Sequence, residues 1–361
     1  MTGPRREEPS VASANGNGGG RRAQMFQGGR WRRGEPTGRG GEHRGGEPAV
    51  VPDAEFGSYY GRPVLKAPVW EWKIAAYLFT GGLAAGSAVV AAGADLTGRP
   101  RLRRASWLGS FAALLASVWF LVTDLGRPAR FHHMLRVAKP TSPMSVGTWI
   151  LTAFGPGVGA AAIAELIPAR WRRTWPARLL RTLSRPAGLF SAATAPGVAS
   201  YTAVLLSHTA VPGWNEARDE LPFVFVGSAA ASGGGFGMLC APPEEAGPAR
   251  AFALAGAAGE LVASRVMEHR LGLVREVYQQ GHAARLRHAS EVLTAAGLAG
   301  TALLAHRSRA GAAASGLALL VGSALQRFGV FHAGVESTKD PRYVVVPQRQ
   351  RLNARDAGSP P

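Results

Sequence analysis

The chain has one cysteine, Cys240, among 361 residues. A single thiol cannot close an internal disulfide, and it leaves no cysteine set for an iron–sulfur cluster or a structural zinc site. If electrons pass through this protein, other subunits are expected to supply most of the carriers. Acidic residues are also scarce, 23 against 41 Lys and Arg, for a net charge of +18. Such an excess fits nucleic-acid binding, and the N terminus has the Arg/Gly richness of some RNA-binding tracts. Most of the remaining arginines, however, sit at the ends of apolar runs, where a membrane protein meets anionic headgroups, so a lipid bilayer and no nucleic acid is the expected partner.

Large apolar side chains are nearly missing up to about Glu47, a stretch that includes "NGNGGGRRAQMFQGGRWRRGEPTGRGGEHRGGE". Residues 1–47 are therefore read as a disordered basic tail, because they offer too little burial to offset the entropy of ordering. No secretory signal is expected, since the first apolar run begins only after some seventy residues. Strict apolar/polar alternation is absent as well, which argues against barrel strands.

Continuous apolar runs are what the sequence does contain, and a crossing of the hydrocarbon core needs about 20 such residues. Eight windows qualify: 73–94, 105–123, 145–168, 186–208, 221–241, 249–267, 289–305 and 310–331. The fold class is thus all-α, a polytopic membrane protein with eight transmembrane helices in a bundle. Small residues such as Gly81, Gly82, Gly86, Gly93 and the run Gly233–Gly235 predict close helix packing. Residues 48–72 form a pre-membrane segment with Trp70 and Trp72 as interfacial anchors, and 73–331 form the membrane domain. Residues 332–361 are a C-terminal extension expected to lie along a partner subunit, or to add a strand to one through Tyr343–Val346. The loops on the two sides carry nearly equal numbers of Lys and Arg. The long basic tail without an export signal places the termini in the cytoplasm, with the protein in the plasma membrane.

Alternating direction through the bilayer gathers the polar groups. Trp72 and Tyr77, Asp124, Arg127 and Arg130, Trp149, Tyr201 and His208, and Trp214, Asp219 and Glu220 fall on one membrane face. A quinone headgroup needs hydrogen-bond donors, an apolar opening for its tail and a proton path to water, and this face offers all three. Simpler roles compete: the tryptophans are ordinary anchors, Asp124 and Arg127 a helix-end salt bridge, and His132 and His133 solvated. Glu260 stands within an apolar run, which is costly unless it is paired or wet, and is a candidate proton relay. Arg265, five residues on, is off the favourable helical spacing for a partner. His208, His306 and His332 fall near the ends of the windows and none lies mid-span, so no haem is expected in this protein.

Three stretches carry a resemblance: "YLFTGGLAAGSAVVAAGADL", "DLGRPARFHHMLRVAKPTSPMSVGTW" and "LPFVFVGSAAASGGG". They resemble the NrfD-type family, the membrane subunits of polysulfide reductase and related molybdenum or multihaem oxidoreductases. The likeness runs from about Tyr59 to Gln348, the last four helices matching mainly in hydropathy. It implies eight helices, a bound quinone, no redox cofactor within the protein itself, and an adjacent iron–sulfur electron-transfer subunit. In the family's polysulfide reductase subunit the headgroup meets an asparagine and a histidine of helix one and a tyrosine of helix four. Register on "GGLAAG" puts these at Ile74, Tyr77 and near Ala195, with Tyr201 somewhat beyond.

The resulting expectation is a membrane anchor, non-catalytic by itself, that exchanges electrons between menaquinone or another quinone and an iron–sulfur subunit. The partner of that subunit would be a molybdopterin catalytic subunit, of polysulfide reductase or formate dehydrogenase type. The quinone set is Tyr77, Asp124, Arg127, Arg130, Tyr201 and His208, with Asp124 and Glu260 as proton relays. Two rivals are a small-solute transporter, which would show inverted repeats and broken helices near the midplane, and a structural anchor without a working quinone site.

Overall fold

A computed structural model describes residues 63–356. The tail at 1–47 and the part of the pre-membrane segment up to residue 62 lie outside the described residues. Within them every regular element is helical: α1 Trp72–Leu96, α2 Pro100–Asp124, α3 Pro143–Leu166, α4 Trp175–Ser207, α5 Pro212–Asn215, α6 Leu221–Cys240, α7 Gly247–Arg270, α8 Arg275–Gln279, α9 Gly281–Leu303, α10 Arg309–Ser337 and α11 Arg342–Asp356.

The eight apolar windows fall on α1, α2, α3, α4, α6, α7, α9 and α10. Six of these, α1, α2, α3, α4, α6 and α10, are long and apolar enough to cross a membrane, so the protein is a multi-pass membrane protein. The other two, α7 and α9, carry too much charge: Arg250, Glu260, Arg265 and Glu268 in one, Arg285, Arg287 and Glu291 in the other.

Proline sets most of the starts. It occupies the first turn of α2, α3, α4, α6 and α7, where its missing N–H costs no hydrogen bond and its fixed φ suits the helix. The same residue type misleads within α4. The apolar window begins at Pro186, yet the helix starts at Trp175 and runs through both Pro186 and Pro196. Neighbouring helices re-satisfy a freed carbonyl in a membrane bundle, so internal prolines need not end a helix there.

Helices α1 and α6 form the centre. They pack on each other, α1 also meets α2, α4 and α10, and α6 also meets α4, α7 and α10. The run Gly233–Gly235 shows how α6 accepts three neighbours. Successive helical residues point about 100° apart, and each of these glycines faces a different helix. A methyl group on Gly233 would strike the Gly86 backbone of α1, one on Gly234 would lie 2.6 Å from the Ala249 carbonyl of α7, and one on Gly235 would lie 2.7 Å from the Gly316 carbonyl of α10. Only a missing Cβ allows all three approaches.

The start of the membrane domain and its end meet around Trp214. This residue is fully buried, stacks on Trp70 at 5.7 Å and donates its indole N–H to the Val330 carbonyl at 2.9 Å. It is a core anchor rather than an interfacial one, because short helix α5 folds it inward against α10. Tyr278 of α8 closes the same corner by donating to the Gly213 carbonyl at 2.5 Å. Burial pushes that phenol well above its ordinary pKa, so it keeps the proton it donates.

The C-terminal residues are helical rather than a strand. α11 spans Arg342–Asp356, Tyr343 is buried against the core, and Arg342 pairs with Glu276 at 2.8 Å and Asp340 at 2.7 Å. The apolar run Tyr343–Val346 finds its cover in part within the same protein, which removes the need for a strand partner.

Candidate functional site

Two of the sequence-derived residues are brought together. Tyr77, five residues into α1, and Tyr201, six residues before the end of α4, are both buried, and their hydroxyls hydrogen-bond to each other. Each stands near one end of its helix, so opposite chain directions put them at similar depth. Gly147 of α3 lies flat against the Tyr201 ring, where any side chain would collide. Ser117 of α2 donates to the Tyr77 carbonyl at 3.4 Å. Four helices thus fix the pair.

An apolar groove of about 570 Å³ opens between α3 and α4, walled by Val146, Trp149, Ile150, Thr194 and Gly197, with Lys139 at its rim. Gly197 lies one helical turn from Tyr201 on the same face of α4, and Gly147 follows Val146 directly. The groove's wall therefore includes neighbours of the residues that hold the tyrosine pair, while neither tyrosine lines it.

Of the charged loop only Ala138, Lys139 and Pro140 line this groove; Asp124, Arg127 and Arg130 do not. Asp124, at the end of α2, is half-buried, and its neighbouring charges are Lys73 and Glu71 of the opening turn of α1. Neither Arg127 nor Arg130 pairs with it. Both are exposed on or beside the short helical turn Pro128–Leu135, which carries no buried residue and also exposes Phe131 and Leu135. Extended backbone at Leu125 ends α2, and the turn that follows rests against α2 and α3 with almost all of its own side chains exposed. His208 is exposed at the end of α4 and sits apart from the tyrosine pair.

Glu260 is buried, with 2% of its surface exposed, at the contact of α7 with α6. The cations that act on its carboxylate are the guanidinium groups of Arg327 and Arg287, and its Oε2 has no hydrogen-bond partner among the described residues. Arg327 of α10 is 1% exposed, donates to the Phe225 carbonyl at 2.7 Å and lies 3.6 Å from the Phe225 ring centroid. Arg287 of α9 pairs with Glu268 of α7 at 2.6 Å. Ser228 and Ser323 share a hydrogen bond at 2.6 Å beside them. Two buried cations and two carboxylates make the cluster neutral overall. Arg265 pairs instead with Glu291 of α9, so the off-register residue is not the partner of Glu260.

Sequence reasoning misses Arg287, Glu268 and Arg327. The signal for Arg327 is present: it stands inside the apolar window 310–331, as Glu260 stands inside its own. His332 is also placed differently, because α10 continues to Ser337 and its half-buried ring meets that of the exposed His282 edge-on at 5.0 Å.

The fold and these clusters define an all-helical multi-pass membrane protein with a polar pair near one end of α1 and α4. The family described as polysulphide reductase, NrfD, matches residues 63–242, about half of the sequence, and the protein belongs to that family. The polysulfide reductase C subunit of Wolinella succinogenes is 29% identical over 152 residues, 38% of the present sequence and 48% of that protein. The match spans about half the length of that relative.

Proposed function

We propose that the protein is the quinone-binding membrane anchor of a multisubunit oxidoreductase, exchanging electrons between menaquinone, or another quinone, and an iron–sulfur subunit. The observation that carries this reading is the buried Tyr77–Tyr201 hydroxyl pair, with an apolar groove between α3 and α4 whose wall residue Gly197 lies one helical turn from Tyr201. The residues present fit such a ligand. Either hydroxyl can turn from its partner to donate to a headgroup carbonyl, and the wall of Trp149, Ile150 and Gly197 suits an isoprenoid tail. Asp124, half-buried between the first turn of α1 and the last of α2, would carry a proton between headgroup and water. Bound quinone would supply the two-electron chemistry, while the protein supplies orientation and the proton route.

Arg127, Arg130, Phe131 and His132 stay exposed and are better used as a docking surface for the iron–sulfur subunit, whose own partner would be a molybdopterin subunit. Exposed arginines and aromatics suit such a contact. Glu260 keeps its proposed relay role, now within a neutral cluster with Arg327. One observation favours a structural anchor without a quinone site: the two tyrosine hydroxyls satisfy each other.

The eight-span reading belongs here too. α7 and α9 bring their charges to one another and to α10, which supports their crossing as part of the bundle despite weaker hydropathy. Reporter fusions in the loops at 242–246 and at Gln280 should read opposite sides; equal readings reduce the count to six. The anchor role is tested by purifying the protein from its native membrane. Co-purifying subunits that contain iron, and whose iron is reduced by added quinol, are the expected result. A protein that purifies alone, or a complex unresponsive to quinol, contradicts it.

A further inference from the structure

One side of α7 and one side of α9 carry matched rows of polar residues. Glu260, Ser264 and Glu268 recur at every fourth position of α7, and Arg287, Ser290 and Thr294 stand three and four apart on α9, so each row keeps to one side of its helix. Both rows line one cavity, of about 10 Å³, which Gln326 of α10 also touches. Five of the six are buried, and the Glu268 side chain is 14% exposed. Arg265 and Glu291 line the same cavity and pair at its more exposed edge.

The rows run inward from one face of the protein. Arg270 at the end of α7 pairs with Glu220, just before α6, at 2.9 Å, and α9 begins directly after α8, whose Tyr278 holds the Gly213 carbonyl of α5. This is the face on which α4 ends, the side of the tyrosine pair. Glu260 stands ten residues before the end of α7, hence about 15 Å inward at about 1.5 Å per residue, near the middle of a hydrocarbon core of about 30 Å. Beyond it the rows stop. Gly256, Ala253 and Ala249 follow on the same side of α7, and a methyl group on Gly234 of α6 would lie 2.6 Å from the Ala249 carbonyl and from the Ala253 nitrogen. On α9 the Thr301 hydroxyl closes on the Gly297 carbonyl of its own helix at 2.6 Å.

Three buried polar atoms of the cavity's lining have no partner among the described residues: Glu260 Oε2, Thr294 Oγ and Arg287 Nε. They comprise an acceptor, a hydroxyl that serves either way and a donor. A single water needs two to four such partners and about 10–15 Å³ of room.

We propose that the two rows form a one-sided proton path, open to water on the face of the tyrosine pair and closed towards the opposite face, which loads Glu260 through one water that bridges its Oε2 to Thr294. Each hydroxyl on the way gives up a proton as it accepts another, so the net event is one proton moved from water to the Glu260 carboxylate. Arg327 and Arg287 are the cations acting on that carboxylate, and Glu268, Arg265 and Glu291 are the other charged groups along the path. The inference rests on the relay role proposed for Glu260 and is independent of the quinone site.

The test uses the full-length protein, with its co-purifying subunits, in nanodiscs, and reads the infrared band of the protonated Glu260 carboxyl. A band that grows on acidification in the wild type and is missing in Glu260→Gln is the expected result. Without such a band the carboxylate takes up no proton, and the relay role and the path fall together. On transfer to heavy water the band should shift quickly in the wild type. Ser264→Leu fills the cavity, so exchange should slow about tenfold or more, waiting on local opening of the helices. Thr294→Val keeps the shape and removes the hydroxyl; it should slow exchange in the same sense, and it serves where Ser264→Leu does not fold. Gly259→Leu, in the open groove between α6 and α7 where a Cβ meets nothing within 4 Å, should leave exchange at the wild-type rate. A titrating band whose exchange is unchanged in both cavity variants, as it would be if water reached Glu260 from the opposite face, or is slowed by Gly259→Leu, overturns the path while the relay role stands.

Discussion

Hydroxyls are buried on both sides of Pro242, but only the helices after it also bury charged side chains within their length. From α1 to α4 the buried polar side chains are hydroxyls: Tyr77, Ser87, Ser106, Ser110, Ser117, Ser191, Tyr201, Thr202 and Ser207. Several close on a carbonyl of a neighbouring helix, such as Ser110 on Ala84 and Ser191 on Phe154, each at 2.7 Å. Beyond Pro242 the interior holds Glu260, Arg287 and Arg327. A buried hydroxyl needs one partner and leaves the helix apolar, whereas a buried charge needs a counter-charge from another helix. This is why α7 and α9 fall below the hydropathy of a typical span while packing within the bundle. The family match covers residues 63–242 and so ends before the helices that hold Glu260, Arg287 and Arg327.

The sharpest way to break the contrast is to remove one charge from the second group. Arg327→Met leaves Glu260 buried without its main counter-charge and should cost about 3–5 kcal/mol of stability. Thermal unfolding in detergent would show it, and Glu260→Gln added to Arg327→Met should recover much of the loss. Full stability of the single variant would mean that the cluster is not the organising feature of α7, α9 and α10.

A somewhat smaller effect tests the seam between the groups. Gly233→Val drives a branched side chain into the Gly86 backbone and should cost about 1–3 kcal/mol or more, since overpacked contacts force the helices apart. The same substitution at Gly259, where a Cβ meets nothing within 4 Å, should be nearly silent. Similar melting temperatures for the two variants would show that α1 and α6 separate without penalty.

The helices are legible in the sequence because a bilayer imposes one length and one hydropathy on every span. All eight windows land on helices, and helical alternation alone places Tyr77 and Tyr201 at one end. It cannot show that their hydroxyls meet, which depends on the rotation of α1 and α4 and on Gly147 admitting the Tyr201 ring. The loop after Asp124 reads as a pocket rim because its charges are adjacent in sequence. Adjacency says nothing about where a chain leaving a helix turns, and the turn after Leu125 leaves almost all of its own side chains exposed. The start of α4 is hidden by Pro186, whose usual meaning reverses inside a membrane bundle. Arg327 is easily overlooked although it carries the same signal as Glu260, a charge within an apolar run.

The central claim, that the tyrosine pair receives a quinone headgroup, is tested most directly by titrating a menaquinone analogue into the purified complex and comparing Tyr77→Phe with the wild type. The variant keeps the ring and removes one hydroxyl. Binding to the wild type should saturate, and the variant should bind about two- to tenfold more weakly, the worth of one neutral hydrogen bond of about 0.5–1.5 kcal/mol. Saturable binding with equal affinity in Tyr77→Phe and Tyr201→Phe as in the wild type, or no saturable binding to the wild type, would contradict the account.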